Sequence, residues 1–320
     1  MNEVMLIGKG NHAVRNIYPS LRELGIRIAA VSSRKQEEAA QFIRQWNPDG
    51  HGYGDYIRMV EQEPSDHVIV VMQAEDALKA VEACLSHGKR VFVEKPLGMS
   101  SGEAERIAQL AERSRGFVQV GFMKRFAPCY RMIRDHIVSG DLGPVRSFRY
   151  SFDVSAAAFC RTDREFIYFV AIHGLDLIRF LFGEPAAVTA MKNDAGEGCS
   201  YQVLLKMADG TCGVCSFENR AAHTREQERL EVTFEDGYMA ADQLDRVILR
   251  RGGDGSWQAL SECDTIWQPT LNPASGPARD LCLRGFIPEL QSFCRDEGAD
   301  MSRDNWRTNM LCDDIIDRIS

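Results

Sequence analysis

A lysine at the end of a strand pattern is the residue whose type and place best suit it to chemistry. An apolar run over residues 91–93 is followed at once by Glu94, Lys95 and Pro96. Pro96 ends the strand because it has no backbone N–H, and it keeps Lys95 extended. Ligands of open α/β sheets bind at the carboxyl ends of the strands. A lysine there can be desolvated and can transfer a proton, although a surface lysine in a turn explains these residues equally well.

A histidine and an aspartate further along the chain are spaced to share one side of a helix. The segment from Phe166 to Phe182 has a helical pattern and ends at Gly183. His173 and Asp176 lie three positions apart within it, so their side chains share one helical face. An imidazole tuned near neutral pH can transfer a proton, whereas a lone histidine in an apolar helix is more often a packing residue.

The N-terminus has the order of elements that a dinucleotide site needs. A strand pattern covers residues 4–8, a glycine turn covers 8–13, an amphipathic stretch covers 14–24 and a second strand pattern covers 26–31. A helix that begins directly after such a turn offers its unpaired N–H groups to phosphates. This order predicts a dinucleotide-binding site.

Each small residue of the glycine turn has a separate task. Gly8 permits the tight turn, Gly10 lets the backbone approach a pyrophosphate, and Ala13 allows close packing of the helix. The predicted cofactor contacts in the turn are Gly8, Gly10, Asn11 and His12.

The end of the second strand bears on the choice between NAD and NADP. NAD sites commonly have an acidic residue about 20 positions after the turn, where it binds the ribose 2′-hydroxyl. Here Ser32, Ser33 and Arg34 take that place, followed by Lys35. Ser33 and Arg34 could bind a 2′-phosphate, so we expect NADP in preference to NAD. A solvated helix start is the alternative, because serine also caps helices.

Composition excludes several other functions. The 320 residues have a net charge of −8, no basic block that would follow a phosphate backbone and no apolar run long enough to span a bilayer. We therefore expect neither nucleic acid nor membrane as a partner. The N-terminus enters a strand directly, which predicts no secretory signal and a cytoplasmic location. Cys212 and Cys215 match a C-x-x-C pattern, but without a second pair or a nearby histidine we expect no metal.

The elements that position these residues fall into two groups. Up to residue 122, apolar strands alternate with helices, which predicts an N-terminal α/β Rossmann domain with a doubly wound parallel sheet over 1–122. From 123 onward, strands follow one another with turns between them, which predicts an α+β domain over 123–320 with a large, mainly antiparallel open sheet. Helical patterns at 284–295 and 305–319 could pack back on the first domain.

Several motifs together resemble the Gfo/Idh/MocA family of dinucleotide-dependent oxidoreductases, and the resemblance covers essentially the whole chain. They are the glycine turn, Glu94-Lys95-Pro96, His173-x-x-Asp176, and the segments 121–128, 140–145 and 182–185. The segments 125–128, 193–197 and 220–226 look most like the MviM-type branch, whose members are known as virulence-factor dehydrogenases.

The resemblance implies a role for each residue of the set. Lys95 would be the catalytic lysine, Glu94 would lie near the nicotinamide, and His173 would be the second proton-transfer group. Asp176 would bind a hydroxyl of a sugar or cyclitol. Further expected contacts are Tyr168 and Arg125 for the substrate, and Gln73 together with Lys95 for the cofactor.

One departure from the family pattern affects the chemistry. The family commonly has an aspartate one helical turn before the histidine, where this chain has Phe169. A phenyl ring can neither orient an imidazole nor accept a proton. Asp163, Glu165 or Tyr168 would have to substitute, or Lys95 would act alone.

These features predict an NAD(P)-dependent oxidoreductase that acts on a hydroxyl or carbonyl group of a sugar-like molecule. The resemblance also implies a homodimer or homotetramer formed through the C-terminal sheet. Two alternatives remain open. One is a lyase or glycosidase-type enzyme that regenerates its cofactor in each turnover, and the other is a non-catalytic dinucleotide-binding sensor.

Overall fold

The chain forms two compact units in a computed structural model that describes residues 3–252, 264–269, 276 and 278–319. The first unit contains Met1–Met123 and Gly276–Met310, and the second contains Lys124–Ser275 and Leu311–Ser320. The C-terminal part of the chain is thus divided between the two units.

The first unit contains the predicted doubly wound parallel sheet, and this sheet has six strands. The strand order is β3-β2-β1-β4-β5-β6, so the topology reverses between β1 and β4. Ligands of doubly wound sheets bind at this reversal, outside the carboxyl ends of the strands. The strands are β1 (Glu3–Ile7), β2 (Arg27–Ser32), β3 (His51–Tyr53), β4 (His67–Val70), β5 (Arg90–Glu94) and β6 (Phe117–Gly121).

Helices connect the strands and continue into the second half of the chain. They are α1 (Tyr18–Glu23), α2 (Gln36–Ile43), α3 (Tyr56–Gln62), α4 (Ala74–Ser86), α5 (Ser101–Ser114), α6 (Pro128–Ser139), α7 (Asp163–Phe166), α8 (Ile172–Phe182), α9 (Ala278–Leu283), α10 (Phe286–Cys294) and α11 (Ser302–Ile319). None of the helices in the described ranges is long and apolar enough to cross a membrane.

The core of the first unit includes a helix from the far end of the sequence. Phe286, Leu290 and Phe293 of α10 are buried in one cluster with Leu6 of β1 and Phe92 of β5. Burial of a side chain of this size contributes about 1.5–3 kcal/mol, so α10 is a substantial part of this core.

The second unit contains an eight-stranded sheet with the order β14-β13-β12-β11-β7-β10-β9-β8. Among the described strands of this second sheet, only β7 and β10 pair in parallel, and the other neighbours are antiparallel. This confirms the predicted large, mainly antiparallel sheet. The strands are β7 (Val145–Val154), β8 (Pro185–Asn193), β9 (Cys199–Met207), β10 (Cys212–Asn219), β11 (Gln227–Phe234), β12 (Gly237–Asp242), β13 (Arg246–Arg251) and β14 (Thr265–Trp267).

Some elements differ from the sequence expectation. The helix predicted over 14–24 begins as a π-helical turn, Ala13–Ile17, before α1. The helix predicted over Phe166–Phe182 consists of α7, a π-helical turn at Ile167–Ala171 and α8. A π turn has i→i+5 hydrogen bonds over one turn only, which is too short a stretch for the apolar pattern to mark.

Candidate active site

The carboxyl end of β5 positions the predicted lysine. The strand ends at Glu94, directly before Lys95 and Pro96, as the sequence predicts. Glu94 is 7% exposed, whereas Lys95 is half-buried. β5 lies between β4 and β6, so these residues stand at the carboxyl edge of a central strand.

The C-terminal helix fixes the loop that follows Lys95. Asn305 Nδ2 donates to the carbonyl oxygen of Leu97 at 3.0 Å, and Asn309 Nδ2 donates to those of Leu97, Gly98 and Ser100 at 3.3, 3.4 and 3.2 Å. Both asparagines are fully buried and lie one turn apart on α11. The loop at 97–100 is therefore tied to a long helix, a restraint that the sequence pattern does not reveal.

The glycine turn has the shape that a dinucleotide phosphate requires. Gly8 has a φ of +106°, and a Cβ there would lie 2.1 Å from the Val71 carbonyl oxygen, so only glycine fits. A Cβ at Gly10 would meet nothing within 4 Å, which leaves open space over that backbone. Asn11 and His12 are exposed beside it.

His12 lies close to the carboxylate that precedes the lysine. His12 Nε2 is 3.0 Å from Glu94 Oε1. On the other side of this carboxylate is Gly121, where a Cβ would lie 2.8 Å from Glu94 Oε2. His12 and Glu94, which were predicted as separate cofactor contacts, are thus neighbours. Gln73, a third predicted contact, is exposed at the N-terminal cap of α4.

The end of β2 carries several positive charges around one acidic residue. Ser32 is buried, Ser33 is half-buried and Arg34 is exposed. Ion pairs join Glu38 to Lys35 at 2.8 Å and to Lys9 of the glycine turn at 3.1 Å. The pKa of Glu38 is lowered by these two lysines, first by the hydrogen bond from Lys35. Sequence reasoning missed Lys9, although its place inside the turn was a usable signal.

In the second unit, the residues around His173 have defined partners. His173 and Phe169 are half-buried, and Phe169 occupies the place one turn before the histidine. Tyr168 is fully buried and its hydroxyl donates to Asp313 Oδ1 at 2.8 Å. Burial raises the pKa of the Tyr168 hydroxyl.

The residues that could replace the missing aspartate also have other contacts. Asp163 accepts a hydrogen bond from the Tyr201 hydroxyl at 2.7 Å and pairs with Lys192 at 2.9 Å. Glu165 accepts from the backbone N–H groups of Arg161 and Thr162 at the start of α7.

Two residues predicted to bind substrate are paired with each other. Arg125 donates from Nε to Asp176 Oδ2 and from NH2 to Asp176 Oδ1, both at 2.6 Å. The exposed fractions are 7% for Arg125 and 1% for Asp176. Such a two-pronged contact satisfies a buried carboxylate and fixes the guanidinium plane.

A second buried charge group forms around Lys124, the residue before Arg125, and the sequence did not predict this group. Lys124 and Glu228 form a buried ion pair. The same oxygen, Glu228 Oε1, accepts from the Tyr130 hydroxyl at 2.5 Å and the Tyr150 hydroxyl at 2.9 Å. Burial raises the pKa of both tyrosines. Lys124 lies in the family-like segment 121–128, but its partners come from distant parts of the sequence, and no local motif marks the group.

Comparison with known proteins assigns the chain to a family. Residues 3–122 match the family model described as an oxidoreductase family with an NAD-binding Rossmann fold, and residues 130–240 match the GFO/IDH/MocA C-terminal domain. The chain belongs to the GFO/IDH/MocA oxidoreductase family. The first unit of this family member is accordingly a nicotinamide dinucleotide-binding unit, in agreement with its glycine turn.

Individual members of the family are similar over different lengths. The inositol 2-dehydrogenase of Rhizobium meliloti (strain 1021) is 29% identical over 220 residues, which cover 63% of this chain and 66% of that relative, just under two thirds of its length. A dehydrogenase from Chromobacterium violaceum has a TM-score of 0.87 at 20% identity, covering 99% of this chain and 95% of that one.

A further solved structure shares the fold. It is an oxidoreductase from Agrobacterium radiobacter in complex with NAD+, L-tartaric acid and magnesium, with a TM-score of 0.83 at 19% identity over 99% of this chain and 96% of that chain. Among the described residues of the present chain, no group of His, Cys, Asp and Glu side chains could hold a metal ion. The MviM-type branch stays a prediction.

Proposed function

We propose that this protein is an NAD(P)-dependent oxidoreductase that acts on a CH–OH group of a sugar or cyclitol. The observation that carries the proposal is the placement of Lys95 at the carboxyl end of β5, in the unit that contains the glycine turn. The inositol 2-dehydrogenase relative supports a polyol as the substrate class. The bound dinucleotide supplies the hydride acceptor.

Lys95 is the proposed proton acceptor for the substrate hydroxyl. A lysine can serve in this way when burial favours its neutral form, and Lys95 is half-buried. Loss of the hydroxyl proton lets the C–H hydride leave. The hydrogen bonds from α11 restrain the backbone of the loop that follows Lys95.

The proposed roles in the second unit depend on His173. We assign it the second proton-transfer function, without the usual aspartate because Phe169 is there. Each carboxylate oxygen of Asp176 can accept a second hydrogen bond, but a substrate hydroxyl would have to reach a residue that is 1% exposed and bound at both oxygens by Arg125. A contact between substrate and Tyr168 would require its hydroxyl to leave Asp313.

NADP is the proposed cofactor in preference to NAD. Ser33 and Arg34 follow β2 directly, at the place where NAD sites commonly have a carboxylate, and the exposed guanidinium of Arg34 is suited to a 2′-phosphate. The carboxylate of Glu38 is nearby but already balances Lys9 and Lys35.

Titration and turnover test the proposal in two steps. Purified protein is titrated with NADPH and NADH, and then assayed with the oxidised forms on a panel of inositols and sugars. We expect the protein to bind a dinucleotide and to reduce it with one polyol class. In Lys95→Ala we expect turnover to fall at least about 100-fold, with the affinity for the cofactor largely kept. The matched control is Lys79→Ala, which removes an exposed lysine of α4. Undiminished turnover in Lys95→Ala would refute the assigned role.

Phe169 favours a second candidate, a dinucleotide-binding sensor without catalysis. Tight binding with no substrate conversion across the panel would support it. Conversion of substrate without accumulation of reduced nicotinamide would instead indicate the cofactor-recycling lyase or glycosidase type. Binding of neither dinucleotide would exclude all three functions.

A further inference from the structure

Four side chains of the first unit form a connected row that leads to the residue before Lys95. Arg284 NH1 donates to Asn16 Oδ1 at 3.3 Å, and Asn16 Nδ2 lies 3.1 Å from His12 Nδ1. His12 Nε2 in turn lies 3.0 Å from Glu94 Oε1. The row runs from the C-terminal segment through the glycine turn to the end of β5.

The row fixes where the imidazole of His12 carries its proton. An arginine can only donate hydrogen bonds, so Asn16 must turn its oxygen toward Arg284. The Asn16 amide nitrogen, which can only donate, then faces His12 Nδ1. His12 Nδ1 must therefore accept, and in the neutral ring the proton is on Nε2, the atom nearest Glu94.

Glu94 needs that donor because its carboxylate is buried. The residue is 7% exposed, and among the described residues none donates an aligned hydrogen bond to Oε1. The His12 ring already has its Nε2 within 3.0 Å of this oxygen, so a small rotation of the ring would align the N–H. A buried carboxylate oxygen without a donor is costly, which favours this contact.

Aromatic packing also holds the His12 ring. Phe286 of α10 meets it edge-on, with 5.7 Å between the ring centroids. The guanidinium of Arg284 lies over the Phe286 ring at 5.0 Å. One residue of the C-terminal segment thus supports both the asparagine and the phenyl ring that contact the imidazole.

We propose that His12 is a positioning residue that acts as a neutral Nε2–H donor, fixed by Asn16 and Arg284, and that it orients Glu94 beside Lys95. This role of His12 differs from that of a cationic phosphate ligand, for which the His12 ring would have to be an imidazolium. Its effect on turnover depends on the proposed function above, whereas its protonation state does not.

The protonation state is measured on the full chain without cofactor. Nitrogen-15 NMR of histidine-labelled protein distinguishes the two neutral tautomers and the imidazolium, and the His12 signals are assigned by their absence in His12→Gln. We expect an unprotonated Nδ1 and a protonated Nε2 at neutral pH. Asn16→Leu should reduce the Nε2–H population. A protonated Nδ1 in the wild type, or no change in Asn16→Leu, would overturn the proposal.

A set of three substitutions measures the consequence for function. The amide nitrogen of His12→Gln reaches about as far as Nε2, whereas His12→Asn is too short and His12→Leu has no donor. We expect near-normal turnover in His12→Gln and a loss of about tenfold in the other two, the size expected for one hydrogen bond to a charged group, with dinucleotide affinity kept.

The outcomes separate the possible failures. Equal losses of turnover in all three variants would contradict the donor role. Losses confined to dinucleotide affinity would also contradict it and would identify His12 as a direct phosphate ligand. If the wild type converts no polyol, the proposed function fails, but the NMR measurement still decides the protonation state of His12.

Discussion

At the scale of single residues, the chemistry depends on buried charged side chains. Glu94 has His12 near its carboxylate, and Asp176 has Arg125 bound to both oxygens. Charges like these carry a large desolvation penalty that only close partners offset. Their partners therefore matter as much as the residues themselves.

The Arg125–Asp176 pair predicts a large loss of stability when it is broken. Asp176→Asn removes the negative charge that the buried guanidinium of Arg125 contacts through two hydrogen bonds, and removal of one partner of a buried pair costs about 3–5 kcal/mol. We expect a loss of that size in the free energy of unfolding, measured by urea denaturation. The control is Asp314→Asn, because Asp314 and Arg318 form a half-exposed pair on α11, worth about 0–1 kcal/mol. Similar losses in the two variants would contradict the structural role of Asp176.

Arg34 predicts the cofactor preference. Arg34→Ala removes a guanidinium that only a 2′-phosphate would contact, so we expect the affinity for NADPH to fall about tenfold and that for NADH to stay nearly constant. Fluorescence titration with both dinucleotides measures this, with Arg58→Ala as an exposed control on α3. An equal fall for both dinucleotides would exclude the 2′-phosphate contact.

Individual residues differ in how far the sequence alone reveals them. Glu94, Lys95 and the glycine turn follow from local signals, since proline ends a strand and glycine permits a positive φ. The partner of Asp176 lies 51 positions away in Arg125, and pairing over that distance depends on the tertiary structure. Both were predicted as substrate residues, and their pairing was not.

At the scale of elements, α11 determines the geometry of the loop after Lys95. The side-chain amides of Asn305 and Asn309, rather than water, donate hydrogen bonds to three carbonyl groups of the loop. The sequence predicts this helix from its spacing but gives no sign that its asparagines face a loop about 210 positions away. The π turns escape prediction for another reason, because each covers only five residues, too few for a change of period to be read from the sequence.

Loss of these asparagines should loosen the loop. In Asn305→Leu the carbonyl of Leu97 loses its closest donor and keeps only Asn309 at 3.3 Å, so the loss is that of one hydrogen bond, about 0.5–1.5 kcal/mol. We expect faster hydrogen exchange over residues 97–101 and lower turnover, with the strands of the first sheet unaffected. Met310→Leu, an exposed position on the same helix, is the control. Unchanged exchange in the loop would show that α11 does not hold it.

At the scale of the whole molecule, the second sheet has an open face with apolar side chains. Along β9, Leu204 is 53% exposed while its neighbours Val203 and Leu205 are buried, so the strand alternates between a core face and an open face. Leu204 pairs with Val214 of β10, and Met191 on β8 is 59% exposed. Exposed apolar side chains grouped on one face are typical of an interface between proteins.

We propose that two copies of this chain associate through this open face, and a charge placed there should prevent it. Leu204→Lys would bury an unpaired ammonium group at the contact, which costs several kcal/mol and lowers the association constant by orders of magnitude. Light scattering coupled to size-exclusion chromatography should then show a dimer or tetramer for the wild type and a monomer for the variant. Val138→Lys on α6, where Val138 is 72% exposed, adds the same charge outside the sheet and should leave the assembly intact. A wild-type monomer, or an assembly that survives Leu204→Lys, would show that this face is not the interface.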